Sequence, residues 1–524
     1  YYGSQFLHYS NDNGESWTKK SPDLTSNDPL KQKQSESGGL TIDDTDAENH
    51  TTIIAIAPSP VDSNVIWVGT DDGNLQITKD GGKTWKNSIS SIKSAPANAW
   101  IPYIEVSKYA AGEAFVVINN YRQNDYKPYA YHTSDFGQTW RRIADESQIE
   151  GFVLCVVQHP RTPNLLFMGT DAGLYVSYNK GTAWELLKKG FPQVQVSDLK
   201  IQERENDLII ATFGRALWIL DDLAPFEAKA KDAKFYDKPF AVLPPQDAYL
   251  VTNRSVDGIR FIGQSEFVGQ NKYWRSANFN VWKSKPVVTP KAEVKKEKTK
   301  EKEKKGNKVV ETVIDSVSIK SDTLSKDSTK KENILKVVII NAEGDTVRNF
   351  SKKILDGMNK VVWNLESNGV KLPERRRQSS EEEKDPPSGP DVLPGKYSIY
   401  FKYNEYIDST VVDVKMDPRQ KVSIRAIKAK DTAYRAFAQK LNNLNTGFQQ
   451  LNEARESIRI VEALLTHQPD STKKEVNLLS SKMQSKIDSI MIAYFGKMDE
   501  KGYLSHKELT SNKVNNALGY YENR

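Results

Sequence analysis

One cysteine, Cys155, among 524 residues rules out a disulfide within the chain, so the fold rests on burial and hydrogen bonds. Cys155 lies in the apolar run Phe152–Val157, which reads as a buried strand with a structural thiol. Such cysteine poverty fits the cytosol, or an exported bacterial protein that does without disulfides. Histidine is scarce as well. His8, His50, His132, His159, His467 and His506 are scattered without zinc spacing, so no metal centre is expected. No apolar run reaches the roughly 18 residues of a spanning helix, so no transmembrane segment is expected. A Gly-x-Ser-x-Gly elbow and a phosphate-binding loop are both missing, and no cofactor is expected. The net charge is only +6, and residues 284–334 alone hold 14 Lys against 9 Asp or Glu. The remainder is close to neutral, which excludes a basic nucleic-acid face.

What the chain does contain is repetition. Ser10–Trp17, Thr78–Trp85, Thr133–Trp140 and Ser177–Trp184 share the pattern Ser/Thr-x-Asp-x-Gly-x-Thr-Trp, the last with Asn179 for Asp and Ala183 for Thr. The pattern suits a tight hairpin turn. Asp12, Asp80, Asp135 and Asn179 can accept backbone N–H groups two or more residues on. Gly14, Gly82, Gly137 and Gly181 supply a positive φ, and Trp17, Trp85, Trp140 and Trp184 bury apolar surface beneath. These Asp-box residues are therefore structural. The repeat extends beyond the box: Asn64, Gly69, Thr70, Asp71 and Gly73 recur as Asn164, Gly169, Thr170, Asp171 and Gly173. Short β-branched runs between turn residues complete units of about 50 residues, the size of propeller blades. The third unit fits less well, with strands Ile101–Val106, Ala114–Asn119 and Tyr129–Thr133 and an inserted loop Tyr121–Lys127. Only one strand, Gln5–Tyr9, is legible before the first box. The chain thus reads as starting partway through a propeller, with about three and a half blades.

The expected fold is mainly β: an Asp-box β-propeller (1–223), a connecting β segment (224–283), a disordered charged linker or insertion (284–334), an Ig-like β-sandwich (335–416) and a helical hairpin tail (417–524). The connecting segment includes an expected strand at Gly258–Ile262. Asp43, Asp44, Asp46 and Glu48 sit in a polar loop that reads as a solvated insertion, with calcium as the alternative. In the tail, Tyr434, Phe437, Leu441, Leu444, Phe448, Leu451, Ile458, Val461 and Leu465 form one heptad-like seam with one gap, and Val476, Leu479, Met483, Ile487, Ile490 and Tyr494 a second. Packing the two seams together makes an antiparallel hairpin; a dimerising coiled coil is the alternative. Asp499–Glu508 lacks the spaced oxygen ligands of an EF-hand.

The boxes, the paired Gly-Thr-Asp turns and Ala211-Thr-Phe-Gly-Arg-Ala-Leu-Trp-Ile-Leu-Asp-Asp222 together resemble bacterial sortilin-like proteins, often labelled glycosyl hydrolase or BNR-repeat proteins. Phe213 stands where that family usually has His. The resemblance implies an exported, non-catalytic scaffold that binds a protein or peptide, in the periplasm, at the outer membrane or on the cell surface of a Gram-negative bacterium. Two alternatives remain open: a sialidase- or xyloglucanase-like glycoside hydrolase acting on a glycan with two carboxylates, and an assembly factor of an outer-membrane or secretion complex. No catalytic set is legible. Asp71 and Asp171 are repeat-equivalent, which favours a structural role. Arg215, Asp221 and Asp222 are the candidate ligand-binding residues. Arg215 either lines the central channel or pairs with Asp221 or Asp222.

Overall fold

The computed structural model describes residues 1–33, 50–251, 275–285, 333–375, 385–465, 470–496 and 510–523. The acidic loop from Asp43 to Glu48, the strand expected at Gly258–Ile262, most of the charged 284–334 tract and Asp499–Glu508 lie outside the described residues.

Five antiparallel sheets follow one another along the first 220 residues. The first contains β1 (Tyr2–Gly3), β2 (Leu7–Tyr9) and β3 (Thr18–Lys19). The second contains β4 (Ile53–Pro58), β5 (Ile66–Thr70), β6 (Leu75–Thr78) and β7 (Lys86–Asn87). The third contains β8 (Trp100–Val106), β9 (Ala114–Asn120), β10 (Asp125–Thr133) and β11 (Arg141–Ala144). The fourth contains β12 (Val153–Gln158), β13 (Leu166–Thr170), β14 (Gly173–Ser177) and β15 (Glu185–Leu186), and the fifth β16 (Val196–Gln202), β17 (Asp207–Thr212) and β18 (Leu217–Leu220). Each sheet is a meander, and consecutive sheets pack face to face as propeller blades. The repeat is written into the register. Ile53 opposes Thr70, Val153 opposes Thr170 and Val196 opposes Thr212, each followed by the same bulge.

Blade contacts explain the recurring glycine. A Cβ on Gly69 would lie 2.5 Å from the Ile101 carbonyl oxygen, and one on Gly169 would lie 2.7 Å from that of Val196. Both glycines let the inner strand of the next blade come close. Gly3 presses on Ile53 in the same way, at 2.8 Å. That makes β1 the second strand of its blade and corrects the sequence reading: two strands precede the first box, and among the described residues this sheet has three strands. The blades also number more than expected, because the fifth has no box to announce it. Tyr121–Gln123 is a short 3-10 turn with β10 starting at Asp125, so the third unit carries a smaller insertion than its sequence suggested. The second strands β5, β9 and β13 are buried along their whole length, Cys155 included among their neighbours. Trp67 fills the joint between blades two and three, edge-on to Trp140 at 5.8 Å.

After α1 (Ala224–Lys231), a sandwich forms from β19 (Phe240–Val242), β20 (Ala248–Leu250), β21 (Ala277–Lys283), β22 (Ile334–Ile340), β23 (Thr346–Lys353), β24 (Gly357–Trp363), β25 (Glu366–Asn368), β26 (Ser388–Asp391), β27 (Gly395–Tyr403) and β28 (Tyr406–Met416). One sheet runs β19-β21-β24, the other β20-β28-β27-β22-β23, with β25-β26 as a small pair. β19, β20 and β21 are therefore sandwich strands and not parts of a separate connection, while α1 packs Phe226 and Ala230 against the last blades. The strict alternation of β21 buries Ala277, Phe279 and Val281, and only the sandwich interior offers that face a partner, such as Phe401 at 5.3 Å. The described strands that flank the charged tract, β21 and β22, lie in different sheets and do not pair with each other.

Among the described residues the tail has three helices: α2 (Ile424–Leu464), α3 (Asp470–Phe495) and α4 (Thr510–Asn523). On α2, Tyr434, Leu441 and Phe448 are buried at seven-residue spacing and Ile458 is buried too, as expected, but Val461 is exposed, so the seam ends before the helix does. On α3 the buried residues are Ser480, Ile487, Met491 and Tyr494, while Leu479, Met483 and Ile490 are exposed. The cause is α4, whose Val514 packs into both apolar clusters of the tail, so α3 turns the stripe between its two neighbours inward. Met491→Gln should therefore cost about 2 kcal/mol or more in urea unfolding, whereas Leu479→Gln should change stability by no more than about 0.5 kcal/mol. The opposite ranking would restore the two-helix seam.

Candidate functional site

The four boxes share one geometry. Asp80 accepts the Thr84 N–H at 2.9 Å, the Thr84 hydroxyl at 2.6 Å and the Thr78 hydroxyl at 2.8 Å. Asp12 and Asp135 repeat the set, and Asn179 keeps the turn through the Ala183 N–H at 2.8 Å. The Thr84 hydroxyl, followed by the Thr84 N–H, holds the Asp80 carboxyl down to about 2. Burial pulls Asp135 upward, but its hydroxyl and backbone donors outweigh that and leave it at about 2. The indoles do more than fill space. Trp85 donates to the Lys20 carbonyl at 3.3 Å, Trp140 to Ser88 Oγ at 3.2 Å and Trp184 to the Ile143 carbonyl at 2.6 Å, each in the preceding blade. Glu113 adds a staple that the sequence did not reveal. It joins Ser107 and His132 of blade three, at 2.6 and 2.9 Å, to Lys180 in the next blade's box at 2.8 Å. Burial raises this carboxyl, yet the His132, Lys180 and Ser107 bonds together bring it to about 2.

Arg215, Asp221 and Asp222 do not converge. Arg215 is exposed on the β17–β18 turn, where its carbonyl accepts the Trp218 indole N–H at 2.9 Å. Asp221 and Asp222 follow the opposite end of β18, so neither of the expected Arg215 pairings forms. Leu223 N–H donates to the Asn206 carbonyl at 2.8 Å, just as Gly81 does to Asn64 and Lys180 to Asn164. Asp222 thus occupies the place of a box aspartate. The chain then turns into α1, and Asp222 accepts Asn280 Nδ2 of the sandwich at 2.6 Å. Asp221 lies 3.8 Å from Lys360 of β24. A cavity of about 540 Å3 lies in this joint, bordered also by Tyr249 and Asp417. Arg419 engages Asp417 through two nitrogens, at 2.9 and 2.7 Å. The acids of the joint are clasps between propeller and sandwich.

Box turns all leave one end of the blades, so the β5–β6, β9–β10, β11–β12, β13–β14 and β17–β18 connections gather at the other. On this loop face, Asp71 accepts the Thr52 N–H at 2.7 Å and meets His50 Nδ1 at 3.2 Å. Its repeat mate Asp171 has Glu150 at the position of His50. One Asp171 oxygen, Oδ1, is buried and makes no hydrogen bond among the described residues. Burial raises the Asp171 carboxyl, the Phe152 N–H opposes this, and Glu150 adds to the rise. Beside it, Tyr121 stacks on Phe152 at 4.9 Å and Tyr126 approaches Phe152 at 6.2 Å. The Arg122 guanidinium lies over Trp100 at 3.2 Å. On the inner strands, burial pushes Glu105 of β8 up to about 7, against the Gln158 N–H and Lys200. Strand alternation marks β8 as half-exposed, but nothing local tells that Glu105 meets β12 and β16. Among the described residues, no cluster of three or more His, Cys, Asp or Glu could hold a metal.

No family model matches the chain. No curated protein matches it either. Among solved structures it is similar to YCF48 from Cyanidioschyzon merolae, at 21% identity over 32% of this chain and 56% of that one, TM-score 0.22. It is similar to YCF48 bound to D1 peptide, at 16% identity over 32% and 51%, TM-score 0.24. An ancestral GH74 enzyme aligns at 12% identity over 67% and 36%, TM-score 0.29. The chain spans about half the length of the first two proteins. Its assignment as propeller blades rests on its own strand order and register.

The Glu113 staple makes a pH prediction. The carboxyl titrates near 4.5 in the unfolded chain and near 2 in the fold, so its stabilisation is complete above 4.5 and fades as pH falls towards 2. Glu113→Gln should cost about 2 kcal/mol in neutral urea unfolding, and the gap from the native chain should narrow in acid. A gap that stays constant across pH would remove the charge from the account.

Proposed function

We propose that this chain is an exported, sortilin-like scaffold of the Gram-negative periplasm, outer membrane or cell surface. It binds a protein or peptide partner on the loop face of its propeller. The observation that carries this reading is a division of labour. The box acids hold turns and the joint acids hold the sandwich, whereas the loop face presents aromatic side chains beside a carboxylate pair, Glu150 and Asp171, that has no ion pair among the described residues. Binding by a rigid, wide face of this kind needs no reacting group, and an extended peptide can add main-chain contacts to it.

A photo-crosslinking residue placed at Phe213, on the loop face, should yield one recurrent protein or peptide adduct in envelope preparations, while the same residue at Lys83, on the box face, should not. In parallel, sialosides and β-glucans should release no reducing ends. Turnover that disappears in a folded Glu105→Gln variant would replace the scaffold reading with glycoside hydrolysis through carboxylates.

A further inference from the structure

We infer that the groove between the start of β10 and the β11–β12 loop seats a lysine or arginine side chain of a partner's extended segment. The inference rests on the peptide-binding reading above and assigns it a subsite. The groove is shallow, about 640 Å3, and three carboxylates border it against one lysine, Lys127. Two of the three are engaged. Asp125 accepts the Tyr129 hydroxyl at 2.9 Å and Asn120 Nδ2 at 3.2 Å. Glu146 meets Arg142 at 3.2 Å and Lys127 at 4.0 Å. The Glu150 carboxylate has no hydrogen bond or ion pair among the described residues. Immediately behind it, a Cβ on Gly151 would lie 1.7 Å from the unbonded Asp171 Oδ1, so the groove floor is thin and a second negative group lies beneath it.

The repeat supplies an internal control. In blade two the equivalent aspartate, Asp71, has His50 against it at 3.2 Å. In blade four that histidine is replaced by Glu150, which leaves one carboxylate on the groove and a second, Asp171, beneath its floor. The nitrogen partner that blade two carries within its own chain is the one that blade four, among the described residues, leaves to a partner. Tyr126, 55% exposed, stands over the groove and offers a ring face to an aliphatic stem or a guanidinium. A long basic side chain satisfies the aromatic and the acids together. Among the described residues, no three of these acids are grouped so that they could hold a metal.

The test uses the whole chain and two fluorescein-labelled probes, a peptide of alternating Gly and Arg and its Gly/Gln counterpart, read by fluorescence anisotropy at physiological salt. The arginine peptide should bind saturably and the glutamine peptide should not. Glu150→Gln and Tyr126→Ala should each weaken binding about tenfold, with unchanged circular dichroism and melting temperature, while Glu15→Gln at a remote exposed acid should have no effect. Absence of arginine-peptide binding, or binding equal in all variants, overturns the inference. If the loop-face adduct persists undiminished in Glu150→Gln, only this subsite fails; if no loop-face adduct forms at all, the binding reading fails with it.

Discussion

A four-stranded blade has two apolar faces and no interior of its own, so it exists only when another blade covers each face. In this chain that requirement is met by close backbone approach. Gly69 and Gly169 let the next inner strand come within contact of the second strand, where any side chain would collide with a carbonyl. Everything else in the propeller is arranged around that distance. Trp85, Trp140 and Trp184 reach back to carbonyl or hydroxyl oxygens of the preceding blade, whereas Trp17, expected to be buried, is exposed, and Glu113 bridges blade three to the box of blade four. In the fifth blade Ala211 stands at the glycine's place, and no strand presses on it among the described residues.

The acids separate by what they hold. Box aspartates are saturated by hydroxyl and backbone donors, which is why they titrate low although exposed. Asp222 shows how such a position changes role: it keeps the box's place in the strand order yet bonds Asn280 of the sandwich. The result ties two differently built units through one polar joint, with Asp221 and Lys360 beside it. Chemistry that departs from the repeat is found where equivalent positions have diverged. Asp71 with His50 is closed; Asp171 with Glu150 is open. Glu105 is different again, a carboxyl that burial alone brings near neutrality on an inner strand.

Much of the architecture was legible residue by residue. Asp, Gly and Trp at fixed offsets announced the box turns, because a turn is a local object whose donors and acceptors lie within a few residues. The Gly-Thr-Asp copies gave the blade period, and alternation gave most strands. The fifth blade escaped because it has no box, and β1 escaped because two residues carry no period. The seam on α3 was misplaced because several stripes of that helix are apolar, and only α4 decides which of them is enclosed.

The sequence by itself determined the mainly β class, the turn chemistry, the repeat length and the inertness of the buried cysteine, all properties set by neighbours along the chain. Tertiary structure decided the rest: that β19, β20 and β21 belong to the sandwich, that Arg215 stands apart from Asp221 and Asp222, that Glu113 staples two blades and that Glu150 backs onto Asp171. Those facts depend on which distant strands come together, and hydrophobic patterning specifies that a face is buried without specifying against what.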